Sequence, residues 1–449
     1  MRDLPNTKYD LSRRRLLGSA AGAATLAGMG GLARSPLAAT WADRPPSEVD
    51  LLNFVVWTYG DIYSQLATRF EEDWGVPVES VISSFNDHPA KLMTMFASGD
   101  YIDVSQSSPF SFPNFIQQGL VEPLDGLPGI EEYVADFSPF TKQVAVQNGQ
   151  VMGLPYFSAI WVWNYYEDLL EQAGLEPFQD YDELIEQLRK AKKDGVSQHP
   201  ILWVAGVGLE QLPGTWYSLT WNRGGTFFEP DGTPALGPGS VARETLRWWA
   251  KTFEEELADP ESLKVQFTSS AKAFSAGKNL YRGPNHHYGL SIVNDPEQSP
   301  IAGRVKVHGF PGDGRTIGVT HVYFLSTGTR DRDWAWKLLQ YLGGRTKDGE
   351  YTQAVNLAKD AMLGSGYQSV MESDIIRESW AQWGDVDAIL DMWGKATYLG
   401  EVVSSVNEPW HFPWTDRLNI EVQNCLTGQI DADQCCDILT AAVDEAKRG

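Results

Sequence analysis

The chain has 449 residues, 42% hydrophobic and 21% charged, with 36 basic against 59 acidic side chains. That length exceeds what one ordinary core fills and favours two domains. So acidic a balance argues against nucleic acid and anionic membrane as partners, which need a basic footprint, and no apolar run after the first forty residues reaches the roughly 18 that cross a bilayer.

In chain order, the first forty residues stand apart, with Arg2, Lys8, Arg13, Arg14, Arg15 and Arg34 against only Asp3 and Asp10. Ser12-Arg13-Arg14-Arg15-Leu16-Leu17 is a twin-arginine pattern followed by a weakly apolar stretch to Ala33. Residues 1–40 therefore read as a signal for twin-arginine export, cleaved near Ala38 and Ala39. The remainder carries 30 basic and 57 acidic residues, a formal charge of −27. No cysteine near the signal offers a lipid attachment point, so the exported protein is expected free in a periplasm.

Leu51 to Trp57 reads as a strand, and Asp61 to Trp74 as a helix with Ile62, Leu66, Phe70 and Trp74 on one face, stopped by Gly75 and Pro77. Val76 to Ile82 is expected as a second strand, Pro89 to Ser98 as a helix turning Leu92, Met93, Met95 and Phe96 inward, and Ile102 to Val104 as a third strand. Such alternation predicts α/β architecture with a parallel sheet, right-handed crossovers and ligands at the carboxyl ends of strands. A second α/β region starts near Tyr156, and its clearest helix is Tyr181 to Lys193, with Asp180 and Glu183 as a capping pair and Gly195 past its end. Val319 to Ser326 reads as a strand, and Asp331 to Leu342 as a helix burying Trp334, Leu338 and Leu342. From Tyr351 onward the pattern is mainly helical. Cys425, Cys435 and Cys436 fall on a short helical hairpin turned at Gly428 and Asp431; in an oxidising compartment Cys425 could pair with either of the others.

Several segments resemble, in order, the family 1 extracellular solute-binding proteins, the group that includes maltose-type receptors. They are Phe54 to Trp57, Phe70 to Val78, Lys91 to Val104, Gly119 to Leu124, Gly149 to Tyr156, Gly224 to Phe228, Ala273 to Lys278 and Phe324 to Leu342. The resemblance implies the two-lobed periplasmic-binding-protein fold with lobes joined by hinge strands. One lobe would comprise 48–155 and 305–345, the other 156–304 and 346–449, with crossings near Gly153 to Ala159 and between Gly289 and Val305. It also implies an importer's permease subunits as protein partner, a carbohydrate as solute, a monomer, and no catalysis.

A sugar offers an apolar C–H face and a rim of hydroxyls, so its receptor needs aromatic platforms bordered by planar hydrogen-bonding groups. The candidate loops supply Trp57, Tyr59 and Asp61 after the first strand, Asn86 and Asp87 after the second, and Gln106, Ser107 and Ser108 after the third. Tyr156, Ser158 and Trp161 come from the expected hinge, and Trp216, Trp221 and Asn222 precede a Gly-Gly loop. Asn285, His287 and Trp410 complete the set, with Trp57, Tyr156 and Trp410 placed by the resemblance on the cleft wall. His286-His287 has no carboxylate or cysteine at ligand spacing, so neither metal nor cofactor is expected. Cationic or amino-acid solutes are the main rival, since aromatic boxes with Asp61 and Asp87 suit a cation too. A secreted carbohydrate-active enzyme is more remote, because no nucleophile elbow, zinc motif or phosphate loop is present.

Overall fold

A computed structural model describes residues 49–50, 60–100, 102–297 and 299–448. The export signal, the expected strand at 51–57, Trp57 and Tyr59 lie outside the described residues. Strand β1 (Val49–Asp50) precedes helix α1 (Gly60–Trp74) and pairs in parallel with β2 (Val78–Glu79). Helix α1 buries Leu66 and Phe70 and ends where Gly75 turns to φ +68°, a conformation that glycine takes without the penalty a Cβ would add. Helix α2 (His88–Ser98) buries Leu92 and Phe96, while Met93 and Met95 are half-buried at the edge of the same core. Strand β3 (Val104–Ser107), helix α3 (Phe112–Gln117), β4 (Val121–Glu122) and the hairpin β5 (Val146–Gln147) and β6 (Gln150–Val151) follow.

Two long strands organise the molecule. The first, β7 (Leu154–Tyr166), has 13 residues, nearly all buried, and its hydrophobic run is what a strand covered on both faces requires. Past it come α4 (Tyr181–Lys193), β8 (Ile201–Leu202), α5 (Gln211–Asn222), α6 (Val241–Glu254), α7 (Phe267–Phe274), β9 (Tyr281–His286) and β10 (Val305–His308). The second long strand, β11 (Thr316–Ser326), is fully buried over 11 residues. Helices α8 (Arg332–Gly343) and α9 (Thr352–Ala361), strand β12 (Ala396–Tyr398) and helices α10 (His411–Leu426) and α11 (Ala432–Ala446) complete the elements used below.

Strand pairing divides β7 into two halves. Its first half runs antiparallel to β11, with Ile160 opposite Gly318 and Leu154 opposite Tyr323, and its second half pairs with β9 and β10. The other edge of β11 carries β3, also antiparallel, with Val322 opposite Ser107 and Tyr323 opposite Gln106. The expected parallel pairing holds between β1 and β2, while the long strands are antiparallel; β8–β9 and β11–β12 are the other parallel strand pairs among the described ones. The two long strands β7 and β11 run in opposite directions and so form an antiparallel pair.

Val305–His308 pairs with the far half of β7, opposite Trp163 to Tyr166. Arg69 of α1 bonds Asp348 at 2.6 Å and Thr352 at 3.3 Å, so the segment after 345 lies beside α1.

Local signals were reliable. Asp180 caps α4 by accepting from the Glu183 N–H at 2.8 Å, and Asp331 caps α8 by accepting from the Trp334 N–H at 3.2 Å; each satisfies an orphan donor of the first turn. The α10–α11 hairpin turns at Gly428 and is capped by Asp431. Its three cysteines are free and buried, and burial pushes the Cys425 and Cys436 thiols up to about 12, away from the reactive thiolate.

Candidate ligand site at the strand crossing

Where β3, β7 and β11 run side by side, their inward side chains meet the loop that leads into α5. Gln106, Ser107 and Ser108 of β3 and its end, Tyr156 of β7 and His321 of β11 line a closed pocket. Phe85, His88, Pro89, Ser111 and Leu209 close the rest of the wall. The pocket encloses about 10 Å³, room for roughly one water, so the two sides are in contact.

The register explains the arrangement. Gln106 lies directly opposite Tyr323, and its Nε2 donates to the Tyr323 hydroxyl at 3.0 Å. Ser107 and Ser108 share the Ser111 hydroxyl at 3.0 and 3.1 Å. The β7–β11 ladder slips between His321 and Val322, and such an irregularity re-aims a side chain. The His321 ring stacks on Phe157 at 4.3 Å, with the Tyr156 hydroxyl 3.5 Å from Nδ1 and Glu210 Oε1 3.5 Å from Nε2. Glu210 and His321 are both buried. Their contact is electrostatic without hydrogen-bond alignment, and Glu210 Oε1, His321 Nε2, Gln106 Oε1 and both Gln211 side-chain polar atoms lack hydrogen-bond partners among the described residues. Buried polar atoms are normally satisfied, and here several without a partner lie close together. From behind, His88 holds the Gln106 carbonyl at 2.7 Å through Nε2, and burial drives its imidazole down to about 3, keeping it neutral.

The sequence candidates separate into groups. Gln106, Ser107, Ser108 and Tyr156 line the pocket, and Asn86 approaches it from outside, its Oδ1 3.5 Å from the Leu209 N–H. Asp61 falls in the first turn of α1. Asp87 is exposed and accepts from the Ser84 hydroxyl at 2.6 Å, so it turns to solvent. Ser158 sits in an interior hydroxyl cluster, 2.8 Å from Thr320 Oγ1. Trp161 is fully buried against Phe267 and His286, its ring resting where Gly214 leaves no side chain. Trp216 is core: its indole N–H donates to the Ala242 carbonyl at 3.0 Å and its ring meets Phe227.

Trp221 carries Arg315 over its ring at 5.3 Å, and Asn222 donates to the Pro311 and Arg315 carbonyls; both tie α5 to the loop before β11. Asn285 donates to the Val162 carbonyl at 3.2 Å, and His287 accepts from the Ile160 N–H and packs on Trp380. Burial is the chief cause that keeps His287 near 3 and His286 well below the ordinary imidazole range. Trp410 faces Phe228 at 5.3 Å with Lys447 over its ring at 5.0 Å. These residues hold structure in the protein as it stands. The sequence reading missed Phe85, His88, Ser111, Leu209 and His321. A single histidine inside the apolar run Val319 to Ser326 carries no local mark of function, because the ladder slip that aims it is a property of pairing.

The model of the bacterial extracellular solute-binding protein family matches residues 57–346. A binding protein of Brucella abortus and one of Brucella suis are each 25% identical over 314 residues, covering 66% of this chain and 71% of theirs. Among solved structures, maltose-bound MalE3 of T. maritima superposes with a TM-score of 0.76 at 19% identity, over 88% of this chain and 99% of that one. Solute-binding proteins of Agrobacterium radiobacter K84 with ribitol and Agrobacterium vitis S4 with D-mannitol give 0.75 and 0.74 at 18% and 19% identity, covering 90% and 89% of this chain and 100% and 99% of theirs. The shared architecture is that of two-lobed periplasmic binding proteins. The chain belongs to the bacterial extracellular solute-binding protein family.

Proposed function

We propose that this protein is the substrate-binding component of an ABC-type importer, which captures a neutral carbohydrate or polyol between its lobes, presents it to permease subunits and does no chemistry on it. The observation that carries the reading is the crossing itself. Gln106, Tyr156 and His321, from three strands, face Leu209 across the pocket, and Glu210 and Gln211 next to Leu209 add buried polar atoms without hydrogen-bond partners among the described residues. Tyr156 supplies a flat aromatic wall, and the serines and amides supply the planar and hydroxyl partners that a polyhydroxylated solute needs. The neighbours that hold maltose, ribitol and D-mannitol support this class of solute.

The charge of the wall weighs against the rival solutes. None of the pocket's described lining residues is Asp, Glu, Lys or Arg, and the Glu210 carboxyl behind them faces His321 at 3.5 Å, whereas an amino acid or polyamine needs a facing charge to replace its hydration. In the lobe assignment that the strand pairing supports, one lobe takes 48–155 and the return from β11 through α9, and the other takes β8 to β10 with α10 and α11. The lobes rotate about β7 and β11, and solute favours the closed form only by its greater affinity for that form. The twin-arginine segment at Arg13 to Arg15 supports export to the periplasm by that route, and a monomer suffices for the site.

Tyr156→Ala is expected to weaken solute binding by about tenfold or more, roughly 1.4 kcal/mol. Isothermal titration calorimetry of the mature protein checks this, and an unchanged dissociation constant would remove Tyr156 from the site. Gln106→Ala, which takes away a buried acceptor and the amide that donates to the Tyr323 hydroxyl, is expected to cost a comparable factor by the same measurement.

A further inference from the structure

His321 and Glu210 meet from two different sets of elements. His321 belongs to β11, whose edges are paired to β3 and β7. Glu210 stands at the start of α5, its carbonyl accepting from the Gly214 N–H at 2.8 Å. The backbone just before it is tied elsewhere: Gly208 exchanges bonds with Asn419 of α10 at 3.4 and 3.2 Å, and the Gly206 N–H donates to the Val265 carbonyl at 3.0 Å. Glu210 is therefore carried by α5 and α10, and His321 by the strand crossing. Nε2 lies 3.5 Å from Oε1, with both side chains almost fully buried. The pocket beside them encloses about 10 Å³, far below the roughly 300 Å³ at which small-molecule sites begin, so a sugar-sized solute has to part these walls.

The surroundings make this contact depend on one proton. The titratable groups about His321 are Glu210, Tyr156 of β7 at 3.5 Å from Nδ1, His286 of β9 with Arg282 near it and, behind Gln106, His88 of α2. Asp87, next to the Phe85 ring that meets His321 at 5.9 Å, turns to solvent. Burial keeps His88 and His286 neutral, whereas His321 faces a carboxyl group. With one proton on its ring, His321 leaves Glu210 Oε1 buried without a hydrogen-bond partner among the described residues. A second proton, taken from solvent, leaves Nδ1–H directed at the Tyr156 hydroxyl and Nε2–H at the carboxylate, and the contact becomes an ion pair. A buried charge without a partner is costly, and pairing offsets much of that cost. Histidine is the side chain whose charge ordinarily changes between about pH 5 and 8.

On the reading of β7 and β11 as the strands that join two lobes, we propose that His321 and Glu210 form a proton-operated latch. When His321 takes up its second proton, the ion pair draws α5 and α10 onto the strand crossing and favours the closed form without help from solute. Solute must separate the two side chains to enter, so the latch works against it.

Small-angle X-ray scattering of the mature protein, dialysed exhaustively to remove solute, tests the latch. The radius of gyration is expected to be smaller at pH 6 than at pH 8 in the wild type, and the same at both pH values in Glu210→Gln and in His321→Gln. The wild-type series needs no variant, so it decides even if a buried substitution lowers stability. A wild-type radius that does not change between pH 8 and 6 overturns the latch, as does a shrinkage that both variants keep. Either failure leaves solute capture standing, because a solute-dependent rise in thermal midpoint tests that separately.

Discussion

Lowering the pH from 7 to 5 is expected to cost the folded protein several kcal/mol. Four histidines, His88, His286, His287 and His411, are buried, and burial is the first cause that depresses each below its ordinary 6.5, to about 3 for His88, His287 and His411. In the unfolded chain the same imidazoles protonate near 6.5, so below that pH the unfolded state binds more protons and is favoured. Stability is therefore full above about pH 6.5 and falls as the pH drops toward 3, by up to about 1.4 kcal/mol per pH unit for each histidine. Urea unfolding at pH 7, 6 and 5 reads the slope. His411→Gln, which can still reach the Ser405 and Thr415 hydroxyls that His411 contacts, should remove its share of it, with His308, also depressed by burial, contributing to the remainder. A midpoint unchanged between pH 7 and 5 would mean that these rings are open to protons in the native state.

The second large effect is expected at Trp163, on the far half of β7. Its ring is fully buried, edge-on to Phe178 at 5.2 Å, to Trp203 at 5.4 Å and to Phe310 at 6.3 Å. Gly283, at φ +148°, comes so near that a Cβ there would lie 3.1 Å from the ring. Trp163→Ala deletes the centre of this cluster, and the backbone around it, fixed by pairing to β9 and β10, cannot collapse into the gap. Such truncations cost about 3–5 kcal/mol. Urea unfolding of the variant at pH 7 measures the loss, and one below about 1 kcal/mol would show that the surrounding strands can rearrange.

Legibility in the sequence followed the range of the interactions. The helices at 60–74, 181–193 and 332–343 were readable because their caps, apolar faces and stop signals lie within a few residues of one another. The sheet was not. Pairing of β3 with β11 joins residues more than two hundred positions apart, and no local pattern encodes that register or its direction. The site shows the same division. Gln106, Ser107, Ser108 and Tyr156 stand at strand ends or crossings and could be found by position and chemistry, whereas His321 depends on a ladder slip and Leu209 to Gln211 on a loop brought in from another layer. Tryptophans misled for a related reason. Trp161 and Trp216 have the chemistry of sugar platforms, but Gly214 beneath one and the Ala242 carbonyl beside the other make them core.

Thermal unfolding of the mature protein against mono- and disaccharides, polyols, amino acids and polyamines tests solute capture most directly. A solute at about one hundred times its dissociation constant adds about 2.7 kcal/mol, a rise of several degrees in midpoint. The expected result is a rise with one or a few neutral sugars or polyols that Tyr156→Ala reduces. A rise confined to amino acids or polyamines would contradict the neutral-solute assignment and return the question to which side chains supply the charge.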